Sequence, residues 1–320
     1  MGKTVKIWLI IAASLILVGC ITLGGVMTML QWDFTKLSTS KFETNMHALS
    51  SPYRSISIVT DTADIQFVPS ENTKTTVVCY EKKSETHSVT VTDGTLVIEV
   101  VDTRKWYEYI GINFASPKIT VSIPQGEYGM LSVKSSTGDV EIPKDFTFES
   151  IDISESTGDV INCASALEAV KIKTSTGDIH VENVSAGALD LWVSTGDITA
   201  NGIESKRDIK VKVSTGKTRL TDATCQNLIS QGNTGDISLK NVIAAEKLSI
   251  VRSTGDVKLD HCDASELSIT TNTGDVTGML LSEKIFITQT NTGRVDVPKT
   301  TVGGKCEIVT NTGDIAITIN

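Results

Sequence analysis

A four-residue motif, Ser-Thr-Gly-Asp or a close variant, recurs ten times between Ser136 and Asp314. Successive copies are separated by 19 or 20 residues throughout. A turn motif at fixed spacing, with an apolar segment on each side, is typical of one supersecondary unit stacked many times. The motif glycines, which we interpret as structural turn residues, are Gly138, Gly158, Gly177, Gly196, Gly216, Gly235, Gly255, Gly274, Gly293 and Gly313.

Apolar residues keep fixed distances from each glycine. A β-branched residue lies two positions after every glycine, for example Val140, and apolar residues lie five and seven positions before most of them, for example Val133 and Leu131. Alternation with a period of two predicts a strand with one buried face. Each unit is therefore predicted to contain a strand, a tight turn, a second strand and a looser return. Glycine in the third place of the motif suits a type II turn, because that place needs positive φ.

One unit cannot bury its apolar face alone, but stacked units can, each strand pairing in parallel with the same strand one coil on. For residues 131–320 the repeats predict an all-β fold, a right-handed parallel β-solenoid or β-roll of about ten coils, because parallel crossovers are overwhelmingly right-handed. At the usual strand spacing the rod would be on the order of 45 Å long. An antiparallel sandwich is the competing architecture; the constant repeat length, with a tight turn at only one end, favours the solenoid.

Residues 1–32 are predicted to be a membrane anchor. Lys3 and Lys6 precede a stretch without charges over residues 7–32, and about 20 apolar residues cross a bilayer. The positive-inside rule then predicts a single-pass helix with a cytoplasmic N-terminus and residues 33–320 outside. In the competing interpretation, Leu17-Val18-Gly19-Cys20 is a lipobox, the stretch is a signal peptide, and Cys20 is lipidated.

Two segments separate the anchor from the repeats. Residues 33–50 are predicted to be a short polar stalk, and residues 51–130 an N-terminal β cap with a degenerate first coil. Asp93-Gly94 predicts a hairpin within the cap. Trp106, Tyr107 and Tyr109 form an aromatic cluster that could bind a sugar or a lipid edge, although plugging the end of the solenoid is the interpretation we favour.

The aspartates that follow the motif glycines offer a column of carboxylates. Asp139, Asp159, Asp178 and Asp197 are candidate calcium ligands, but Lys217 and Arg294 interrupt the column. Calcium-binding β-rolls use a nine-residue repeat instead. We therefore favour a solvated turn cap, and we predict no metal and no cofactor.

The chain lacks a nucleophile elbow, an HExxH motif and a P-loop. No CxxC or Cys/His pattern is present, so zinc is not expected. We predict no catalytic residues and no enzymatic activity. The formal net charge of −9 argues against a nucleic-acid partner and against simple attraction to anionic lipid or wall polymer.

The repeated Ser-Thr-Gly-Asp-Val/Ile turn resembles the bacterial putative adhesin family known as domain of unknown function 4097. The apolar N-terminal span followed by Trp32-Asp33-Phe34 is similar to that of clostridial and related Gram-positive members. The resemblance covers nearly the whole chain and implies a surface-exposed β-repeat domain, in some relatives associated with cell-envelope stress. It implies no catalytic residues.

The sequence therefore predicts a non-catalytic, membrane-anchored extracellular protein whose solenoid presents a binding face to an envelope protein or a surface glycan. A passive structural spacer of the envelope is the first alternative, and a carbohydrate-active enzyme the second.

Overall fold

The computed structural model describes residues 2–33, 41–71, 73–104, 106 and 115–320. It contains one helix, α1 (Lys3–Met29), and strands at Phe42–Leu49 (β1), Ser55–Thr62 (β2), Asp64–Pro69 (β3), Thr75–Lys82 (β4), Glu85–Thr92 (β5), Thr95–Asp102 (β6), Lys118–Ile123 (β7), Gly126–Thr137 (β8), Val140–Ile142 (β9), Phe146–Thr157 (β10), Val160–Asn162 (β11), Ser165–Thr176 (β12), Ile179–Ala186 (β13), Leu189–Thr195 (β14), Ile198–Ser205 (β15), Ile209–Thr215 (β16), Thr218–Thr234 (β17), Ile237–Thr254 (β18), Val257–Thr273 (β19), Val276–Leu280 (β20), Lys284–Thr292 (β21), Val295–Asp296 (β22), Gly304–Thr312 (β23) and Ile315–Ile319 (β24).

The strands stack in parallel as a β-solenoid of about ten turns, which confirms the predicted fold. Equivalent positions of successive repeats face each other: Ile153 pairs with Val133 on one side and with Ile172 on the other. The columns predicted to be apolar are buried almost throughout and form one continuous core. We call the sheet made by the strands before the turns the leading sheet; it contains β8, β10, β12, β14, β16 and the later halves of β17, β18 and β19.

The return segment of a coil, expected to be looser, is a third strand in the middle of the stack. Val184 pairs with Ile203, and Ile203 pairs with Ala223. A residue with left-handed backbone conformation lies six positions after the glycine and turns the chain into this strand. The corner residues are Asn183, Gly202, Asp222, Asn241 and His261, with φ between 52° and 66°. Asn, Asp and Gly adopt this conformation at little cost, so the coil has three sides rather than two.

At the C-terminal end the coils do not follow the order of the sequence. Strand β23 lies between β19 and β21, and β24 lies between β20 and β22. The tenth repeat is therefore inserted between the eighth and the ninth. The ninth repeat forms the end of the stack, and its Val295 is 45% exposed, whereas Ile315 in the same column is buried.

The strands at the N-terminal end also stack out of sequence order. Strands β2 and β3 form a coil that lies between the first repeat and the coil formed by β6 and β7. Beyond that coil, β4 pairs with β7 and β5 pairs with β6, both antiparallel. The predicted hairpin at Asp93-Gly94 connects β5 and β6. Antiparallel strands thus cover the N-terminal edge of the parallel stack, which would otherwise offer unpaired backbone groups.

The polar stalk predicted for residues 33–50 is wrong for its second half, because β1 pairs with β4 along Phe42–Leu49. Glu43, Asn45 and His47 alternate with more exposed neighbours and lie on the less exposed side of this strand. Because this side is polar, the segment lacks the alternation of apolar and polar residues that normally indicates a strand in the sequence.

The N-terminal helix α1 is 27 residues long and apolar enough to cross a membrane. It begins and ends slightly earlier than the predicted span over residues 7–32. Cys20 lies within it, exposed.

We predict that the exchanged order of the last coils can be detected by disulfide crosslinking. Ser268 and Glu307 are register partners on neighbouring strands, so their cysteine variants, Ser268→Cys and Glu307→Cys combined, should crosslink on oxidation; the strand spacing of about 4.8 Å lies within disulfide reach. Peptide mapping by mass spectrometry identifies the bond.

The matched control combines Ser268→Cys with Ile287→Cys. These positions would be neighbours if the coils followed the sequence, but here they lie two strands apart, about 9.6 Å. A crosslink in this control with none in the first pair would contradict the exchanged order.

Candidate functional site

The motif turns form one edge of the solenoid, which we call the turn ridge. Its glycines have φ between 124° and 157°, larger than the roughly 80° of a type II turn. A Cβ at Gly177 would collide with the carbonyl oxygen of Gly158, and the same holds along the ridge. Both the backbone conformation and the close approach of the coils therefore require glycine.

The aspartates after the glycines connect one coil to the next. The Asp178 amide donates to Oδ1 of Asp159 at 2.7 Å, and the Asp197 amide donates to Oδ1 of Asp178 at 2.7 Å. Equivalent bonds precede these two: the Asp139 amide donates to Oδ1 of Asp64, and the Asp159 amide donates to Oδ1 of Asp139. This ladder supports a structural role for the four candidate calcium ligands, since each column oxygen Oδ1 already accepts an amide.

The two exceptions in the column have different positions in the ladder. The Lys217 amide donates to Asp197, but its own side chain has no acceptor for the amide of Asp236, so the ladder is interrupted there. Arg294 donates its amide to Asp314 and belongs to the end coil. The ladder therefore ends at Arg294, whose side chain has no oxygen to accept an amide hydrogen bond from a further coil.

A buried carboxyl group lies beneath the ridge at Glu155. The residue is 4% exposed, and both carboxyl oxygens are without a hydrogen-bond partner among the described residues. In neighbouring coils this position, three before the glycine, is often threonine; Thr174 donates its hydroxyl to the Gly158 carbonyl at 3.3 Å. Burial, reinforced by the charges of Asp139, Asp159 and Asp64, raises the pKa of Glu155 to about 8. The carboxyl is therefore protonated at neutral pH.

Three departures from the repeat pattern meet around Arg252. Its guanidinium is buried and donates to the Val213 carbonyl at 3.1 Å and to Oγ1 of Thr218 at 2.7 Å. Thr218 replaces an aliphatic residue, and Gly232 leaves the space that the guanidinium occupies. Burial lowers the pKa of Arg252 to about 10. These residues form a polar plug in the core.

The cap contains a buried hydrogen-bond network that sequence reasoning missed. Oε2 of Glu81 lies 2.7 Å from Nδ1 of His87, and Nε2 of His87 lies 2.9 Å from Oγ1 of Thr60. The order hydroxyl, imidazole and carboxylate is that of a catalytic triad. All three residues are buried, so a substrate has no access to the hydroxyl. The network connects the cap to the coil that contains β2.

Cys79 lies beside this network. Its Sγ and the ligand atoms of Glu81 and His87 are all within 4.8 Å of one another, a set that could hold a metal ion. Burial raises the pKa of Cys79 to about 12, so the thiol is protonated when no metal ion is bound. Both Glu81 oxygens accept hydrogen bonds, from Asn45 and from His87, so we assign this cluster a structural role. Its sequence signal, Cys-x-Glu-x5-His, is too sparse to recognise beforehand.

The predicted aromatic site is only partly described. Trp106 is 78% exposed and therefore does not plug the solenoid; Tyr107 and Tyr109 lie outside the described residues. The aromatic rings packed near the N-terminal end of the core are others: Phe67 and Phe146 have centroids 6.4 Å apart, and Tyr128 and Phe148 have centroids 5.7 Å apart.

We predict that the turn-ridge ladder stabilises the fold through its acceptor oxygens. Asp178→Ala removes the acceptor of the Asp197 amide and should lower the free energy of unfolding by about 1 kcal/mol. Asp178→Asn removes the same charge but keeps an acceptor oxygen, so it should lower the free energy of unfolding by a smaller amount. Equal denaturation midpoints for the two variants would show that the hydrogen bond contributes nothing.

We predict that Glu155 makes stability depend on pH. An unfolded glutamate ionises near 4.5, and in the folded protein the pKa is about 8, so the stabilising contribution is complete below 4.5 and is lost as pH rises to 8. One unit of pKa difference corresponds to about 1.4 kcal/mol, so the total loss is on the order of a few kcal/mol. In the Glu155→Thr variant, the free energy of unfolding should depend less on pH between 4.5 and 8.

Chemical denaturation at several pH values measures this effect. Glu127→Thr, at an exposed position of the same sheet, is the control and should keep the wild-type pH dependence. A Glu155→Thr variant with the wild-type slope would contradict the assignment.

Comparison with solved structures finds several proteins of low sequence identity. A putative adhesin from Parabacteroides distasonis is 10% identical, with a TM-score of 0.43, over 87% of this chain and 98% of its own. A putative adhesin from Bacteroides fragilis is 17% identical, with a TM-score of 0.41, over 88% of this chain and 97% of its own. A putative lipid binding protein from Parabacteroides distasonis is 12% identical, with a TM-score of 0.29, over 75% of this chain and 95% of its own. No curated protein matches the chain in sequence.

The model of the Toastrack DUF4097 family matches twice, over residues 53–210 and 203–320. These matches span the coil of β2 and β3, the covering strands and all ten repeats. The chain therefore belongs to the Toastrack DUF4097 family.

Proposed function

We propose that this chain is a non-catalytic surface protein, anchored in the bacterial cell membrane by α1, with its solenoid outside the cell and available to an envelope or surface partner. The observation that carries the proposal is the joining of one exposed, apolar 27-residue helix to a long β-solenoid. Lys3 and Lys6 precede most of the apolar stretch, which favours a cytoplasmic N-terminus.

The distribution of reactive groups supports binding rather than catalysis. The thiols of Cys79, Cys262 and Cys306 are buried, as are Glu81 and His87. The grooves on the described surface are open: one of about 550 Å³ at the end coil is lined by residues that include Asp296, Val297 and Pro298. Catalytic sites usually combine a concave pocket with titratable groups that a substrate can reach. Two of the similar structures are named putative adhesins and one a putative lipid binding protein, and both names describe binding.

We predict that the solenoid is accessible from outside the intact cell. Thr195 on the turn ridge is exposed, so Thr195→Cys should react with a membrane-impermeant maleimide before lysis. Gly2→Cys, on the other side of the helix, should react only after lysis. The background for both variants combines Cys163→Ser with Cys20→Ser, because Cys163 is a half-exposed native thiol in the solenoid and Cys20 is exposed on α1.

The reverse labelling pattern would contradict the proposed orientation, and labelling of both sites only after lysis would contradict surface exposure. Intact mass of the purified protein distinguishes the two anchors. An uncleaved helix retains residues 1–19, whereas the lipoprotein alternative loses them and adds lipid to Cys20.

A further inference from the structure

The outer surface of the leading sheet carries a regular set of lysines. Four positions before the motif glycine, coils one to five present Lys134, Ser154, Lys173, Trp192 and Lys212, and these residues are register partners in that order. Six positions before the glycine, coils two to five present Asp152, Lys171, Asp190 and Lys210, again in register. The five lysines are exposed. We call this surface the lysine strip.

The register determines the spacing of the charges. Lys173 and Lys212 are separated by two coils, about 9.6 Å, and so are Lys134 and Lys173. Lys171 and Lys173 are two residues apart on one strand, about 6.6 Å. Lys134, Lys173 and Lys212 therefore form a row of positive charges along the rod axis. Lys171 and Lys210 widen this row at coils three and five, where Asp152 and Asp190 alternate with them.

The lysines of the strip do not form direct ion pairs with the residues that the structure describes. None of the five forms an ion pair among the described residues, whereas basic residues on other parts of the solenoid do: Arg219 contacts Asp197 at 3.0 Å, and Lys247 contacts Glu266 at 3.2 Å. Lys173 Nζ lies 4.1 Å from the centroid of the half-buried Trp192 ring, a contact that orients the ammonium without cancelling its charge. Lys134, Lys173 and Lys212, whose column contains no acidic residue in coils one to five, thus keep their charge for a ligand.

A shallow groove adjoins the wide part of the strip. It has a volume of about 530 Å³, and the residues that line it include Ala169, Ala188, Lys171, Asp190 and Lys210. Asp190 lies between the two lysines in register. The alanines precede Lys171 and Asp190 by two positions on the same strands, and their small side chains leave room beside the lysines for a ligand to lie against the sheet.

We propose that the lysine strip binds a linear acidic glycan that carries one carboxylate or phosphate for every two sugar rings and runs parallel to the rod axis. The two-coil spacing of the lysines is on the scale of two linked sugar rings, so successive acidic groups meet successive lysines. The groove and the Trp192 edge accommodate the intervening ring. This inference rests on the proposed function, since the glycan must reach the solenoid from outside.

The turn ridge favours a single polymer chain over a membrane surface. Asp159, Asp178 and Asp197 lie five residues beyond the lysine column on the same coils and form an acidic border along the strip. A flat anionic bilayer would contact this border together with the lysines, and repulsion would oppose the attraction. A single chain needs only the width of the strip.

Binding is measured with the full chain in nanodiscs of phosphatidylcholine, which carry no net charge. The probe is a defined hyaluronan oligosaccharide, which has one carboxylate per two sugar rings; neutral dextran, DNA and anionic vesicles are the comparison ligands. Hyaluronan should bind in a salt-dependent manner and dextran should not. Lys173→Gln combined with Lys212→Gln should weaken hyaluronan binding about tenfold.

The matched control is Lys240→Gln combined with Lys258→Gln, which removes two exposed lysines outside the leading sheet and should leave affinity unchanged. Circular dichroism checks that both variants are folded. Equal losses in the two variants, absence of hyaluronan binding, or stronger binding of DNA or anionic vesicles would each overturn the inference. The labelling of Thr195→Cys is independent of all these results, so failure of the glycan site and failure of the proposed function are separable.

Discussion

The contact between successive turn glycines is the constraint on which the rest of the solenoid depends. Each glycine has positive φ and lies so close to the carbonyl oxygen of the neighbouring turn that no side chain fits. This contact holds equivalent residues of adjacent coils in register. The apolar columns, the aspartate ladder and the lysine strip all follow, because each requires the same position of every coil to lie above the next.

A strict register also makes departures from the repeat informative. Glu155, Gly232 and Arg252 occupy the same column as Thr174, three positions before the glycine. Glu155 is protonated there, whereas the Arg252 guanidinium enters the space left by Gly232 and finds Thr218 as a partner. Each change is compensated by a neighbour one or two coils away, or by a change of protonation. The column is therefore mostly polar, with Val193 and Val213 as buried apolar members between Thr174 and Gly232.

The same register separates charges by face. Aspartates gather on the turn ridge, whereas the leading sheet carries the lysine strip, in which only Asp152 and Asp190 alternate with lysines. A net charge of −9 averages over these faces and conceals a local surface of opposite sign. The sequence-based argument against acidic polymers used that average, and the lysine strip is the reason why it does not hold for every face. A chain with a negative net charge can thus present a narrow strip of exposed lysines.

The repeat by itself determined the solenoid, its buried columns and the glycine turns, because these depend on local alternation and on φ at one residue. The apolar helix was equally readable, because about 20 apolar residues need no tertiary context. The tertiary structure alone decided the exchanged order of the end coils, because near-identical coils carry no local signal of which one stacks on which. It also decided the strand at Phe42–Leu49, the network around His87 and the lysine strip, since these join residues whose relation appears only when the coils are in register.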